Sequence, residues 1–120
     1  EKFDKQISDK KTSIGLFMAG FAKVNITPEI VTGNEDPKEG KFNKIKLAGF
    51  GSGKYATGVH DSIYAKAIAM QVDQQTVILI SADLLMTPKA LVDNVIKRLK
   101  GNNIDISREQ IYFGATHTHC

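Results

Sequence analysis

Two apolar segments separated by a short polar stretch dominate the middle of this 120-residue chain. Residues 76–82 are β-branched and apolar through their centre, which is typical of a central strand buried on both faces. In residues 63–72 nearly every second side chain is apolar, and Asp73-Gln74-Gln75 predicts a turn between the two segments. The pattern predicts a β-hairpin. A helix remains the alternative for the first segment, because three of its residues are alanines.

Residues 88–100 carry an apolar stripe at helical spacing and predict the one long helix. Thr87 is the predicted N-cap, Pro88 the first helical residue and Gly101 the C-cap. The stripe consists of Leu91, Val92, Val95, Ile96 and Leu99. Most of the basic excess of the chain lies on this helix, where cations near the C-terminus suit the helix dipole.

Two further strands and a loop complete the predicted order of elements. Residues 15–27 alternate between an apolar and a mixed face and predict a strand that Pro28 ends. Residues 29–46 are charged and predict a solvated loop. Residues 107–110 have the spacing of a capping box, and residues 111–115 predict a last, buried strand. The order predicts an α/β fold of mixed α+β type, with a mixed β-sheet flanked by helices.

Composition excludes several classes of protein. Apolar residues make up 42% of the chain and charged residues 24%, as in ordinary globular domains, and no apolar run is long enough to span a membrane. The net charge is only +3, and aromatic residues do not alternate with basic ones, so we expect no nucleic-acid partner. Residues 1–14, rich in charge, are predicted to be a flexible tail. The single cysteine, Cys120, allows no internal disulfide.

The strongest chemical signal is His117-Thr118-His119, directly after the last predicted strand. On an extended chain these two histidines point to the same side, with Cβ atoms roughly 6–7 Å apart. Two imidazoles so placed can share one zinc ion, or one can bind metal while the other touches substrate. The alternative is a pair of partly exposed histidines at a strand end. The position after a buried strand, where α/β sites gather, favours a site.

Weaker candidates lie in the Gly-rich stretch of residues 49–58 and just after it. The spacing of its glycines does not match a phosphate-binding loop. His60 is either a third metal ligand or a structural residue held by Asp61 or a backbone carbonyl. Asp83, after the second hairpin strand, either orients a metal-binding histidine or caps the following turn, and Asp61 has the same two interpretations. Cys120 is a weak candidate for a nucleophile or ligand.

Several segments together resemble the N-terminal domain of the neutral/alkaline non-lysosomal ceramidases. Gly58-Val-His-Asp61 resembles the family's Gly-Ile-His-Asp, and Ser81-Ala-Asp83 resembles its Ser-Ala-Asp strand end. Thr116-His-Thr-His119 resembles its Ser/Thr-His-Thr-His motif. Five segments match in the same order along the chain: Ala19–Pro28, Leu47–Gly51, Gly58–Ala67, Ile80–Leu84 and Ile111–His119.

The resemblance implies a zinc-dependent amidase that hydrolyses the N-acyl amide of ceramide to sphingosine and a fatty acid. His117 would bind zinc, His119 would act as a catalytic residue on the substrate or its oxyanion, and Gly49 would let the backbone approach the substrate. Residues 15–120 would form the N-terminal portion of a larger catalytic domain, with a further His, Glu and Tyr ligand downstream. The implied partner is a ceramide-like lipid amide, with contact to a membrane surface and an extracytoplasmic location.

Two alternatives stay open at this point. One is a non-catalytic, truncated member of the same family. The other is a metal-dependent hydrolase of amidohydrolase type, which also places His-x-His at a strand end but acts on another substrate. The five ordered segments favour the ceramidase interpretation over the second alternative.

Overall fold

The computed structural model describes residues 15–119, so the predicted tail at residues 1–14 and Cys120 lie outside the described part. In this described part, a four-stranded sheet forms the centre, with one α-helix and a single 3-10 turn at Arg108–Gln110. The strands are β1 Phe17–Asn25, β2 Glu29–Ile30, β3 Lys41–Phe42, β4 Tyr64–Val72, β5 Gln75–Ala82 and β6 Ile111–Ala115, and the helix is α1 Lys89–Gly101.

The sheet is mixed, as the sequence predicts, with the strand order β1-β4-β5-β6. Strands β1, β4 and β5 pair antiparallel, whereas β6 runs parallel to β5 after the crossover through α1. The predicted hairpin is confirmed as β4 and β5, joined by Asp73 and Gln74. Asp73 takes a left-handed conformation with φ 53°, which aspartate tolerates better than most residues. The helical alternative for residues 63–72 is therefore wrong.

The predicted loop at residues 29–46 contains the short strands β2 and β3, which pair in parallel and form a separate two-stranded sheet. A turn brings them together: Asp36 and Lys41 exchange backbone hydrogen bonds of 3.0 and 2.9 Å, and the Asp36 carboxylate accepts from the N–H of Lys38. A strand of two residues is too short to show the apolar–polar alternation of a strand, so the charge of residues 29–46 was the signal available, and it indicated a loop. The opening strand is confirmed but shorter than predicted, from Phe17 to Asn25.

The caps of α1 differ by one residue from the sequence prediction at both ends. Pro88, with φ −59° and ψ 146°, is the N-cap, and Asn102 rather than Gly101 is the C-cap. Thr87 does not cap the helix, because its hydroxyl donates to the backbone carbonyl of Phe113 in β6 at 3.2 Å. A tertiary contact therefore outcompetes the local capping pattern. Within residues 15–119, no helix is long and apolar enough to cross a membrane.

The core lies on one face of the sheet only. The buried apolar side chains are Ala82, Val92, Ile106 and Ile111; Ala82 and Ile111 point to the same face of neighbouring strands, and Val92 belongs to α1. On the opposite face, Phe21, Ile68, Leu79 and Tyr112 form one row across all four strands, and all four are exposed. We call this side, defined by that row, the open face.

The open face contradicts the prediction that residues 76–82 are buried on both faces. Along β5, exposed and half-buried residues alternate up to the buried Ala82. Residues 111–115 are likewise covered on one side only, since Ile111 is buried while Tyr112 is 68% exposed. A continuous apolar run indicates that both faces can be covered, but within residues 15–119 only one layer, built around α1, is present to cover them.

Candidate functional site

The candidate site lies where the parallel strands β5 and β6 end side by side. Beyond the strands, the two chain segments continue to pair: the N–H of Thr116 donates to the carbonyl of Ala82 at 2.9 Å, and the N–H of His117 donates to that of Leu84 at 3.0 Å. Carboxyl ends of parallel strands meet at one edge of a sheet. This pairing therefore brings the segment after Ala82 next to the histidines.

Asp83 ties together the ends of three strands. Its Oδ2 atom accepts a hydrogen bond from the N–H of Tyr64 at 2.9 Å, and its Oδ1 atom accepts from the hydroxyl of Thr116 at 3.2 Å. Its own N–H donates to the carbonyl of Tyr64 at 2.9 Å. The half-buried carboxylate thus anchors the start of β4 and the residue before His117, but it makes no hydrogen bond to a histidine ring.

His117 is oriented by a backbone carbonyl. Its Nδ1 atom lies 2.8 Å from the carbonyl oxygen of Leu85, and because a carbonyl only accepts, Nδ1 must carry the proton in this bond. In the neutral ring Nε2 then has a free lone pair, and none of the hydrogen bonds found within residues 15–119 involves it. A histidine whose second nitrogen donates to a carbonyl has the arrangement typical of a metal ligand.

The backbone at His117 differs from the extended chain that the sequence predicted. Its φ is 62°, in the left-handed region, where a non-glycine residue is strained and surrounding contacts must offset that strain. The i, i+2 geometry of a strand therefore does not apply here. The two imidazoles are neighbours nonetheless, with ring centroids 5.1 Å apart and planes nearly perpendicular at 86°.

His119 lies between His117 and the Gly-rich segment. Its half-buried ring meets the ring of Phe50 edge-on, with centroids 6.0 Å apart and an interplanar angle of 81°. Its Nδ1 and Cε1 atoms face Gly49 so closely that they occupy the space a Cβ at that position would need. The structure thus brings together three of the predicted site residues: Gly49, His117 and His119.

His60 and Asp61 form a separate pair. The Nδ1 atom of His60 and the Oδ2 atom of Asp61 are 2.8 Å apart, and their side chains are 97% and 89% exposed. This matches the interpretation in which Asp61 holds His60, although an exposed pair of this kind contributes little stability. Within residues 15–119, no group of three or more His, Cys, Asp or Glu side chains is placed to hold a metal ion, so His60 does not join His117 and His119 in one site.

A cavity of about 720 Å³ lies next to Thr118, and His117 and His119 are not among the described residues that line it. Much of its wall is apolar, and its polar side chains are those of His60, Asp61, Asp83, Thr118, Lys46, Tyr55, Thr27 and Thr57. The apolar lining includes Ile30, Ile45, Leu47, Val59, Leu84 and Leu85. Apolar walls with a few polar groups are typical of small-molecule sites.

Sequence reasoning missed the two groups that orient the rings. The carbonyl of Leu85 carries no side-chain signal, and Phe50 was visible only as an aromatic residue among glycines. Among the described residues, one nitrogen, Nε2 of His117, is placed to bind zinc, whereas a catalytic zinc takes three protein ligands.

The chain matches solved structures but has no match in sequence comparisons. No protein-family model and no curated protein match it. Its fold is similar to the crystal structure of neutral ceramidase from Pseudomonas aeruginosa, with a TM-score of 0.69 and 23% identity over 86% of this chain. It is equally similar to a ceramidase complexed with C2, with a TM-score of 0.67 and 24% identity. The chain spans 15% of the length of each of these structures.

Proposed function

We propose that this chain contributes one wall of a zinc-dependent amidase site that acts on an N-acyl lipid amide of the ceramide type. The observation that carries the proposal is the hydrogen bond from Nδ1 of His117 to the carbonyl of Leu85, which leaves Nε2 of the neutral ring free to bind a metal ion. The left-handed backbone of His117 supports it, since strained residues cluster at functional sites. The similarity in fold to neutral ceramidases supports the reaction class.

The two histidines have different roles in this proposal. His117 binds zinc through Nε2. When bound, zinc lowers the pKa of a water ligand to about 7 and polarises the substrate carbonyl. His119 is half-buried beside it, with Nδ1 turned towards Gly49, so its Nε2 is the atom free to donate to the oxyanion that forms on the amide carbon. The apolar cavity next to Thr118 provides a surface suited to a lipid chain.

The remaining metal ligands lie outside residues 15–119 in this proposal, because the described residues supply one oriented ligand and a catalytic zinc takes three. The site is then shared between this chain segment and a further part of the protein. We include in the proposal that the protein acts outside the cytoplasm and that it contacts a membrane surface, where a lipid amide substrate would be found.

The test is hydrolysis of a ceramide and of a short N-acyl amide by the protein as its gene encodes it, with zinc content measured in parallel. We expect the His117→Ala variant to lose zinc and activity together. The His119→Ala variant should keep zinc but lose turnover, by about 100-fold for a single oxyanion donor.

The matched control is His60→Ala, because His60 is exposed and its partner among the described residues is Asp61, so the variant should leave zinc content unchanged. Equal loss of metal in the His117 and His119 variants would refute the division of roles. A wild-type protein that neither retains zinc nor hydrolyses N-acyl amides would favour the non-catalytic alternative.

A further inference from the structure

The ring of His119 occupies space that exists only because residue 49 is a glycine. A Cβ atom built on Gly49 would overlap the Nδ1 and Cε1 atoms of His119 and would lie 3.1 Å from its Cγ atom. The backbone of Gly49 is also left-handed, with φ 78°. The glycine is therefore required twice, once by the backbone conformation and once by the ring that packs against it.

The neighbouring glycines separate these two requirements. Gly51 has a similar left-handed backbone, with φ 67°, but a Cβ built on it meets no atom of the described residues within 4 Å. The same is true of Gly53, with φ 110°. Contact with a histidine is thus a property of Gly49 within this loop, and the backbone conformation alone does not produce it.

Two aromatic rings also lie near the His119 ring. The centroid of the Phe50 ring lies 6.0 Å away and that of the His117 ring 5.1 Å away, and both rings are nearly perpendicular to the imidazole. The ammonium group of Lys54 lies 5.1 Å from the centre of the Phe50 ring, a distance at which it is attracted to that ring. The half-buried imidazole thus has Gly49, Phe50 and His117 as neighbours.

We propose that Gly49 is a positioning residue for His119. Because residue 49 has no side chain, the imidazole packs directly against its backbone, and this contact sets the orientation of the ring and of its Nε2 atom. This role differs from a direct backbone contact with substrate, because it acts through the histidine. Its consequence for turnover rests on the proposed function, whereas its structural part does not.

The structural test is a double-mutant cycle in the full chain, built from Gly49→Ala, His119→Ala and the double variant, with Gly51→Ala as the matched control. Both single glycine variants place an alanine in a left-handed backbone conformation, which destabilises the fold. Among the described residues, the added Cβ overlaps the ring of His119 in Gly49→Ala and meets nothing within 4 Å in Gly51→Ala. We expect Gly49→Ala to shift the unfolding equilibrium about tenfold further than Gly51→Ala does, as moderate overpacking would. Removing the ring by His119→Ala should abolish that excess.

Nuclear magnetic resonance of the histidine rings provides the readout that a purely structural role would not move. In Gly49→Ala the Cε1–Hε1 signal of His119 should shift, and in Gly51→Ala it should stay in place. A Gly49→Ala chain that fails to fold still supports the proposal if the double variant folds. The proposal would be overturned if Gly49→Ala destabilised the His119→Ala variant as much as it destabilises the wild type. An unmoved His119 signal would also overturn it.

The catalytic consequence is measured separately in the hydrolysis assay. Gly49→Ala should lower kcat as His119→Ala does while zinc stays bound, and Gly51→Ala should leave kcat unchanged. If the wild-type protein hydrolyses no amide, the proposed function fails, but a positive double-mutant cycle still establishes the positioning role. If the cycle shows no coupling, the positioning role fails whatever the activity is.

Discussion

Replacing Asp83 by alanine should lower the free energy of unfolding by about 2 kcal/mol. The carboxylate accepts the N–H of Tyr64 at 2.9 Å in a half-buried setting, and it accepts the hydroxyl of Thr116 at 3.2 Å near solvent. A hydrogen bond to a charged group contributes about 1.5–3 kcal/mol when buried, and the low end applies to the Tyr64 bond. The exposed bond to Thr116 adds roughly 0.5 kcal/mol.

The measurement is urea unfolding of the full chain, followed by circular dichroism, for the wild type and three variants. Asp83→Ala should also lower the Tm by about 8 °C for a domain of this size. Asp83→Asn keeps an oxygen that can accept the N–H of Tyr64, so it should cost less than about 1 kcal/mol. Thr116→Val removes only the exposed bond and should cost about 0.5 kcal/mol, apart from its small change in packing.

The order of the three variants decides whether Asp83 anchors the strand ends. An Asp83→Ala variant within about 0.5 kcal/mol of the wild type, with an unchanged dependence on urea, would show that the two contacts contribute nothing. If Thr116→Val were as costly as Asp83→Ala, the bond to Tyr64 would not be the dominant one. Either result would refute the reasoning from distance and burial.

Three further predictions follow from the site, the open face and the 3-10 turn. Because His117 is the one oriented ligand within residues 15–119, calorimetry on the 120-residue chain should show zinc binding weaker than about 1 μM; tighter binding that His117→Ala abolishes would contradict this. The open face should bind a hydrophobic dye and promote association in sedimentation experiments, and Phe21→Lys should reduce both; a monomeric, dye-negative wild-type chain would contradict this. Hydrogen bonds from the backbone N–H of Glu109 and from Ser107 lower the pKa of the Glu109 carboxyl, so nuclear magnetic resonance should show it titrating below 4.5. Its small stabilising contribution should be present above pH 4.5 and lost as the pH falls through the lower folded pKa. A midpoint at or above 4.5 would refute the assignment.

Local patterns predicted the main elements because each pattern reports on the contacts of a single segment. The alternation in residues 63–72 reflects a strand with one covered face, and the stripe in residues 88–100 places Val92 towards the core. The capping box at residues 107–110 is confirmed, since the N–H of Ser107 donates to the Oε1 atom of Gln110 at 2.9 Å. These features depend on residues within a few positions of one another, so sequence spacing is sufficient.

The errors arose where a distant segment competed for the same group. Thr87 has the chemistry of an N-cap, but its hydroxyl bonds to Phe113 across the crossover instead. The apolar run in residues 76–82 is compatible with cover on both faces, yet the part of the chain that the structure describes covers only one. No periodicity in the sequence encodes which second layer is present, because burial depends on what packs against a strand rather than on the strand itself.

For the candidate site, the sequence by itself determined which chemical groups are available: two histidines after a strand, an aspartate after its neighbour, and a glycine in a Gly-rich loop. Only the tertiary structure decided how they act together. The parallel pairing of β5 with β6 brings the carbonyl of Leu85 to Nδ1 of His117, and the fold of the Gly-rich loop brings Gly49 against the ring of His119. Both contacts join segments that are far apart in the chain, so they depend on register and loop path, which local residue spacing does not specify.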